Sequence, residues 1–286
     1  YDFQNELIGI PVMHGEGYKG KGITIAVFDA GFPGVNTISA FSHLFTNNQI
    51  VGTRDFVHLE NANVYSFNQH GTNALSLIAA NPENLLVSGA PDSKYILGIT
   101  EDVPTEYRIE EYNWVRAASW ADSLGADIIS SSLGYWDFDD PSMDYTKEDL
   151  DGKTATITIG ADVASEKGIL VVTSAGNYGS RGVSSIIAPA DAEGILSVGA
   201  VNSSLARAGF SSQGPTADGR FKPEVSAFGN SAQVIRSNGT LGPSNGTSFS
   251  APQVAALAAG LWEARPDWTK DKLIEYILRS SSQYEN

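Results

Sequence analysis

The sequence predicts an α/β fold in which a doubly wound, mostly parallel sheet carries helices on both faces. Five short apolar runs, each about the length of one strand, alternate along the chain with five segments that have apolar residues at three-and-four spacing. The apolar runs are nearly continuous, which is typical of strands buried on both sides of a parallel sheet. Strands and helices that alternate in this way indicate crossover connections, and therefore a layer of helices on each face.

The predicted elements follow one another in a simple order. The predicted strands are residues 23–28, 95–99, 127–130, 168–172 and 194–198. The predicted helices are residues 71–80, 110–124, 158–166, 250–264 and 270–279. The fourth helix has Pro252 in its first turn, where a missing N–H is tolerated, and it is apolar on every side, so we expect it to be buried. The acidic stretch 135–152 lacks such a pattern and is predicted to be an exposed loop.

Composition and charge exclude several classes of function. The chain has 286 residues and no internal repeat or linker-like stretch, so we expect one domain over residues 1–286. Its 18 Lys and Arg against 33 Asp and Glu give a formal net charge of −15, which argues against nucleic-acid binding. The longest apolar stretch, residues 254–262, is far short of the roughly 18 residues that a membrane span needs. The absence of cysteine excludes a thiol nucleophile and Cys-ligated zinc.

Two polar residues follow predicted strands, at the edge where open parallel sheets place their sites. Asp29 comes directly after the first strand. Asn177 comes after the fourth, and the glycines at 176 and 179 would let a ligand approach its amide, which can donate to an oxyanion. Taken alone, each residue is also explained as an ordinary turn residue.

Two further candidates stand at predicted helix starts. His70 lies immediately before the first predicted helix, and Ser248 lies just before the buried fourth helix. A hydroxyl at the start of a buried helix is held rigidly, next to free backbone N–H groups that favour negative charge. By itself, His70 is equally consistent with a surface or capping histidine, and Ser248 with a plain N-cap.

The order Asp29, His70, Ser248 is more informative than any of the three residues alone. It is the chain order of one of three unrelated Ser-His-Asp arrangements, and it differs from the order in chymotrypsin-like enzymes and in α/β-hydrolases. The segment around Ser248 also lacks the last glycine of the G-x-S-x-G elbow of α/β-hydrolase esterases. This order therefore predicts nucleophilic catalysis by a serine.

Five sequence blocks in this order resemble the subtilisin-like serine proteases, the subtilase family, and its bacterial branch in particular. The resemblance extends from about residue 20 to about residue 280. The blocks are IAVFDAG at 25–31, HGT at 70–72, SSLG at 131–134, SAGN at 174–177 and NGTSFSAP at 245–252. Two positions depart from the family pattern: Ala30 follows the aspartate in place of Ser or Thr, and Ser76 stands where a glycine is usual. We expect both to change local hydrogen bonding only.

The resemblance implies a single subtilisin-like peptidase domain with a role for each candidate. Ser248 would be the nucleophile, His70 its general base, Asp29 the residue that orients the imidazole, and Asn177 an oxyanion donor together with the Ser248 N–H. Substrate would bind as an added strand along a cleft, with one side-chain pocket beside it. By resemblance, the cleft residues are Ser132, Leu133 and Gly134, with Gly176 as one pocket wall and Ile187 at a shallow apolar floor.

The resemblance also implies partners, cofactors and a compartment. The substrates would be polypeptides, and the chain's own cleaved pro-segment is a further expected partner. No cofactor is expected for the chemistry, whereas a structural Ca²⁺ ion is expected from the family; its ligands are not assigned from the sequence. Because the chain begins at Tyr1 without an apolar signal segment, we expect a secreted or cell-surface bacterial protein from which a signal peptide and pro-segment have been removed.

Two other functions remain open from the sequence. One is a catalytically inactive peptide-binding module of the same fold, and the other is a serine esterase. Labelling by a fluorophosphonate probe together with casein cleavage would indicate the protease. Labelling with ester turnover alone would indicate the esterase, and no labelling would indicate the binding module.

Overall fold

The computed structural model describes residues 3–82 and 88–283, and within them seven parallel strands form one sheet. These strands are β1 (Thr24–Asp29), β2 (Ile50–Asp55), β3 (Lys94–Ile99), β4 (Ile128–Ser131), β5 (Leu170–Ser174), β6 (Leu196–Val201) and β7 (Val225–Phe228). Two further strands, β8 (Asn230–Ile235) and β9 (Leu241–Asn245), form an antiparallel hairpin. The order across the sheet is β2-β3-β1-β4-β5-β6-β7.

The helices pack against both faces of this sheet. They are α1 (Phe3–Leu7), α2 (Ile10–Gly15), α3 (Ser42–Thr46), α4 (His70–Ala79), α5 (Ile109–Ser123), α6 (Thr156–Glu166), α7 (Ala251–Ala264) and α8 (Lys270–Arg279). Successive side chains of β1 point to opposite faces. Ile25 and Val27 join the core formed with α4, α7 and α8, while Ala26 and Phe28 join the core formed with α5 and α6. The predicted α/β class, with a parallel sheet between two helical layers, is confirmed.

The five predicted strands and five predicted helices are all present, with ends that shift by a few residues. The sequence missed two strands of the sheet, β2 and β7, together with the hairpin and the short helices α1 to α3. Both missed strands form the edges of the sheet, and β2 is largely half-buried or exposed. Edge strands need no continuous apolar run, so the signal used for the inner strands is absent from them.

The prediction that residues 135–152 form an exposed loop is wrong in one respect. The segment is irregular, but its large apolar side chains are buried in the core beside α5 and α6; they are Tyr135, Trp136, Phe138, Tyr145 and Leu150. The Tyr145 hydroxyl donates to the buried Glu111 carboxylate of α5 at 2.9 Å. The prediction was based on the aspartates of this segment, because acidic residues indicate exposure. Its aromatic residues are spaced irregularly and therefore give no periodic signal of burial.

The topology places a cleft above the end of β1. The chain leaves β1 to build β2 and β3 on one side of it, and then adds β4 on the other side. The connections therefore diverge at this point, and such a switch point is where open α/β sheets bind ligands. No helix of the described residues is long and apolar enough to cross a membrane.

Candidate active site

A cavity of about 430 Å³ opens at the carboxyl edge of the sheet. Its walls are built by the segments that follow β1, β3, β4 and β5, and by the starts of the two helices α4 and α7. His70, Ser248 and Asn177 all line it, so the structure brings together residues that are far apart in the chain. Asp29, the last residue of β1, is fully buried behind His70.

Asp29 and His70 form a close pair. The Nδ1 atom of His70 lies 2.8 Å from one carboxylate oxygen of Asp29 and 3.0 Å from the other. Oδ1 of Asp29 also accepts the N–H of Ala30 at 2.8 Å, and the N–H of His70 is bound by the Asn68 side chain at 2.9 Å. The ring is thus fixed through one nitrogen and its backbone, which leaves Nε2 as the second nitrogen available to a reactant.

The pKa of His70 reflects two opposing effects. Burial of the ring lowers the pKa, but the Asp29 carboxylate outweighs burial and, together with Glu101, raises the pKa to about 9. The imidazolium form is therefore stabilised here. This is the form that a general base adopts after it has accepted a proton.

Ser248 lies in a single 3₁₀ turn, Thr247–Phe249, which leads directly into α7. Its side chain is nearly buried, and its backbone is clamped by the Ser132 hydroxyl, which donates to the Ser248 carbonyl at 2.8 Å. The Ser248 hydroxyl in turn donates to the Ser132 carbonyl at 3.3 Å. Among the described residues, this bond to Ser132 is the one that the structure shows for the Ser248 hydroxyl.

Asn177 is oriented by the residue that precedes Ser248. Its Oδ1 atom accepts the N–H of Thr247 at 3.0 Å and the Thr247 hydroxyl at 3.1 Å. Because the oxygen of the carboxamide is held on that side, its NH₂ group is left to serve as a donor beside the cavity. Asn177 is therefore more than a turn residue, since its amide is positioned against the segment that carries Ser248.

The predicted substrate-binding residues form two walls of the same cavity. Leu133 and Gly134 continue from β4, and Gly176 stands beyond β5 with a φ of +106°. The buried Ile187 side chain fills the space between these walls: a Cβ atom added to Gly134 would lie 2.4 Å from its Cδ1, and one added to Gly176 would lie 2.9 Å from it. Ile187 thus leaves no room for a side chain at Gly134, and at Gly176 the Ser212 hydroxyl and the positive φ add to the same requirement for glycine.

The two residues that depart from the family pattern each take part in hydrogen bonds that the structure shows. At Ala30 the backbone N–H, rather than a side-chain hydroxyl, contacts the Asp29 carboxylate. The Ser76 hydroxyl donates to the Asn73 carbonyl within α4 and accepts the N–H of Ile235 at 2.9 Å. Ser76 therefore fastens the hairpin strand β8 to α4, away from the reacting atoms.

Several residues of the cavity were not predicted from the sequence. Asn68 orients His70, and Thr247 orients Asn177. Neither residue belongs to a sequence pattern that predicts this role. Glu101 and Glu106 also line the cavity. Glu101 was predictable from the sequence, because it follows the end of β3 by two residues. Polar residues just after the strands of an open parallel sheet lie where such sheets bind ligands, and Asp29 was predicted for this reason.

The carboxyls of this segment have unusually high pKa values. Burial raises the pKa of Glu101 to about 8, with a further contribution from Asp29. Burial also raises the pKa of Glu106 to about 7, where Asp139 adds to the effect, and that of the fully buried Glu110 to about 8, where Glu106 and Glu101 contribute. Each value indicates a carboxyl that is short of compensating positive charge.

Metal ligation was left open by the sequence. In the ranges 3–82 and 88–283, no three side chains of the types His, Asp and Glu are grouped so that they could hold a metal ion. The acidic stretch 135–152 is thus not gathered into such a group within those ranges.

Known proteins match this chain in both sequence and fold. Residues 20–286 match the model of the subtilase family. A subtilisin of Bacillus pumilus is 33% identical over 279 residues, which cover 97% of this chain and 90% of that protein. Subtilisin amylosacchariticus of Bacillus subtilis subsp. amylosacchariticus is 34% identical over 97% of this chain, and here the chain spans only 65% of the relative's length.

Solved structures agree on the fold. A psychrophilic protease, S41, superimposes with a TM-score of 0.74 at 23% identity and covers 93% of this chain and 84% of its own. Sphericase gives a TM-score of 0.73 at 24% identity with the same coverage. With the match over residues 20–286 and a relative that is matched over nine-tenths of its length, this chain belongs to the subtilase family.

Proposed function

We propose that this protein is a serine endopeptidase that hydrolyses peptide bonds through an acyl-enzyme intermediate. The observation that carries the proposal is the Asp29–His70 pair, at 2.8 Å, at the wall of a cavity that also contains Ser248 and Asn177. A carboxylate, an imidazole, a serine hydroxyl and an amide donor around one cavity are the parts that acyl transfer by serine needs.

In the proposed reaction His70 is the general base. It accepts the Ser248 proton at Nε2 as Oγ attacks the scissile carbonyl, and Asp29 stabilises the resulting imidazolium through Nδ1–H. His70 then donates this proton to the leaving amine, which departs as the acyl-enzyme forms. A water molecule attacks the acyl-enzyme with the same base, and the peptide acid leaves as Ser248 regains its proton.

The oxyanion of each tetrahedral intermediate would be bound by the Asn177 amide and the Ser248 N–H. Asn177 is suited to this role because Thr247 fixes its oxygen and so the direction of its NH₂ group. A donor that is already oriented costs no reorganisation when the charge develops, and this is the basis of its effect on the rate.

The substrate would lie as an extended strand along residues 132–134, with its acyl residue beside Gly176. Ile187 fills much of the space between Gly134 and Gly176. A small acyl side chain, such as that of alanine, therefore fits this pocket better than a large aromatic one.

Labelling and proteolysis test the proposal together. The parent protein should be labelled by a fluorophosphonate probe and should cleave casein, and Ser248→Ala should lose both by about 10⁴-fold or more while keeping its melting temperature. The unlabelled parent would contradict the proposal and favour the peptide-binding module, for which the Ser248 hydroxyl directed at Ser132 is the structural argument. A labelled protein that turns over esters but never peptides would instead indicate the esterase.

Calcium, the pro-segment and the compartment are further proposals that rest on the family. The bacterial subtilisins among its relatives support an extracellular enzyme that is released from its own pro-segment. In the described ranges no three His, Asp or Glu side chains are grouped so that they could hold an ion, so carbonyl, amide or hydroxyl oxygens, which Ca²⁺ also accepts, would supply part of the ligand set. If Ca²⁺ binds the native state, it should raise the melting temperature and EDTA should lower it; identical melting curves would exclude this role.

A further inference from the structure

One wall of the cavity is acidic and is not used by the proposed chemistry. Glu101 and Glu106, both half-buried, line the cavity beside His70, and Glu110 is buried behind them at the start of α5. We call Glu101 and Glu106 the acidic wall. Its backbone is held in place: the Glu106 N–H donates to Asp139 at 3.2 Å, and the Asp139 N–H donates to the Glu106 carbonyl at 3.0 Å.

No lysine or arginine of the protein neutralises the acidic wall, and among the described residues the one cation that acts on it from within is the His70 imidazolium beside Glu101. All 18 Lys and Arg residues lie in the described ranges, and none of the ion pairs there includes Glu101, Glu106 or Glu110. Nearby arginines are engaged elsewhere: Arg108 donates to the Met143 carbonyl, and Arg181 pairs with Asp137. The carboxylates of Glu106 and Asp29 both repel that of Glu101. Because these groups are partly shielded from water, a cationic group of a bound ligand would reduce this repulsion.

We expect such a cation to belong to the molecule that occupies this cavity. It is the cavity that contains Ser248 and His70, so its occupant is the polypeptide substrate, and this step rests on the proposed function. We propose that Glu101 and Glu106 are specificity-determining residues that select a substrate with a lysine or arginine side chain on the acyl side of the scissile bond.

The position of that side chain follows from the layout of the cavity. The segment after β4 and the segment after β3 face each other across the cavity because their strands flank β1. A peptide that runs along residues 132–134 therefore has the acidic wall on its other side. The pocket closed by Ile187 takes the residue at the scissile bond, so the cationic side chain belongs two to four residues before that bond, about 3.3 Å further along the strand for each residue.

Peptide pairs that differ only in charge test the proposal. Each pair has alanine at the scissile bond and either arginine or citrulline, its uncharged isostere, at the second, third or fourth residue before the bond. At pH 9, in low salt, we expect kcat/KM for arginine to exceed that for citrulline by about 10-fold at one or more of these positions, which corresponds to about 1.4 kcal/mol. The preference should fall at high salt, because half-buried charges are partly screened.

Variants show whether the preference comes from these carboxyls. In the double variant Glu101→Gln with Glu106→Gln, the arginine-to-citrulline ratio should fall to below about 2-fold, since exposed pairs alone contribute little. The remote, exposed Glu166→Gln should keep the parent ratio. The ratio is measured within each enzyme, so a general change in rate does not affect it.

The outcomes separate this inference from the proposed function. Cleavage of the peptides with equal rates for arginine and citrulline overturns the inference and leaves the endopeptidase standing. A parent preference that survives in the double variant also overturns it. Failure of the parent to react with the fluorophosphonate probe overturns the proposed function first, and the inference with it.

Discussion

The two sides of the cavity satisfy their polar groups in opposite ways. On the catalytic side, each polar side chain has a partner from the protein: Asp29 pairs with His70, Asn177 with Thr247, and Ser248 with Ser132. On the acidic wall, Glu101 and Glu106 lack a lysine or arginine partner and have raised pKa values. The first arrangement fixes geometry before substrate arrives, whereas the second leaves a charge to be matched by the substrate.

This difference separates two tasks of one site. A reacting group needs a fixed position, which comes from hydrogen bonds within the protein. A group that selects a substrate gains from being unpaired, because its interaction free energy is realised only when the right ligand is bound. The following substitutions test that division, from the largest expected effect to the smallest.

The largest effect is expected for the oxyanion donor. Asn177→Leu keeps similar bulk but removes the amide, so kcat should fall about 100- to 1,000-fold with little change in KM, the size of loss known for removal of one such donor from a subtilisin. Kinetics on active-site-titrated enzyme measure this.

A matched control is available in Asn238, an exposed turn residue away from the cavity. Its Oδ1 atom accepts the N–H and the hydroxyl of Thr240, the same two bonds that Asn177 makes with Thr247. Asn238→Leu should therefore lower the melting temperature without changing kcat. If Asn177→Leu stays within about threefold of the parent kcat, the catalytic side does not contain the donor that we assign to it.

An intermediate effect is expected on the pH dependence. His70 must be neutral to act as a base, and its pKa of about 9 means that kcat/KM should rise with pH until about pH 9. Glu101 is one of the carboxylates that raise this pKa, so Glu101→Gln should move the midpoint of the rise to lower pH.

Glu106→Gln is the control for this shift, because Glu106 lines the same cavity but is not among the charges that raise the pKa of His70. Its profile should keep the parent midpoint. A midpoint near pH 6.5 in the parent would show that Asp29 and Glu101 do not perturb His70 in the way the structure indicates.

The smallest effect is expected on stability behind the acidic wall. The pKa of Glu110 rises from 4.5 to about 8 on folding, chiefly through burial. The native state therefore binds more protons than the unfolded state between these values, and the stability that is present below about pH 4.5 is lost as pH rises toward 8. Glu110→Gln stays uncharged and avoids the cost of ionising a buried carboxyl, so at pH 9 it should be more stable than the parent.

Thermal unfolding at pH 5 and pH 9 measures this difference. The parent should lose more stability between the two pH values than Glu110→Gln does, while the exposed Glu166→Gln should follow the parent. Equal losses of stability in the parent and in Glu110→Gln would show that Glu110 ionises without cost. Glu110 would then be better solvated than its burial indicates.

The sequence was most informative where local pattern and chemistry coincide. Asp29 at the end of β1, His70 at the start of α4 and Ser248 just before α7 were each visible from their position in one element. The inner strands were visible because burial on both faces demands continuous apolar residues, whereas the edge strands β2 and β7 were missed because that demand is absent at an edge.

By itself, the sequence determined the α/β class and the order of the inner elements, and it predicted the residues that we propose carry the chemistry, since each depends on a local pattern or a block of adjacent residues. Only the tertiary structure decided how closely the Ile187 side chain, which the resemblance placed at the pocket floor, approaches Gly134 and Gly176, and that Glu101 and Glu106 line the cavity with His70 without a lysine or arginine partner. The physical reason is that these features are distances and charges between segments far apart in the chain. They arise only when the crossover connections bring the carboxyl ends of β3, β1, β4 and β5 to one edge of the sheet.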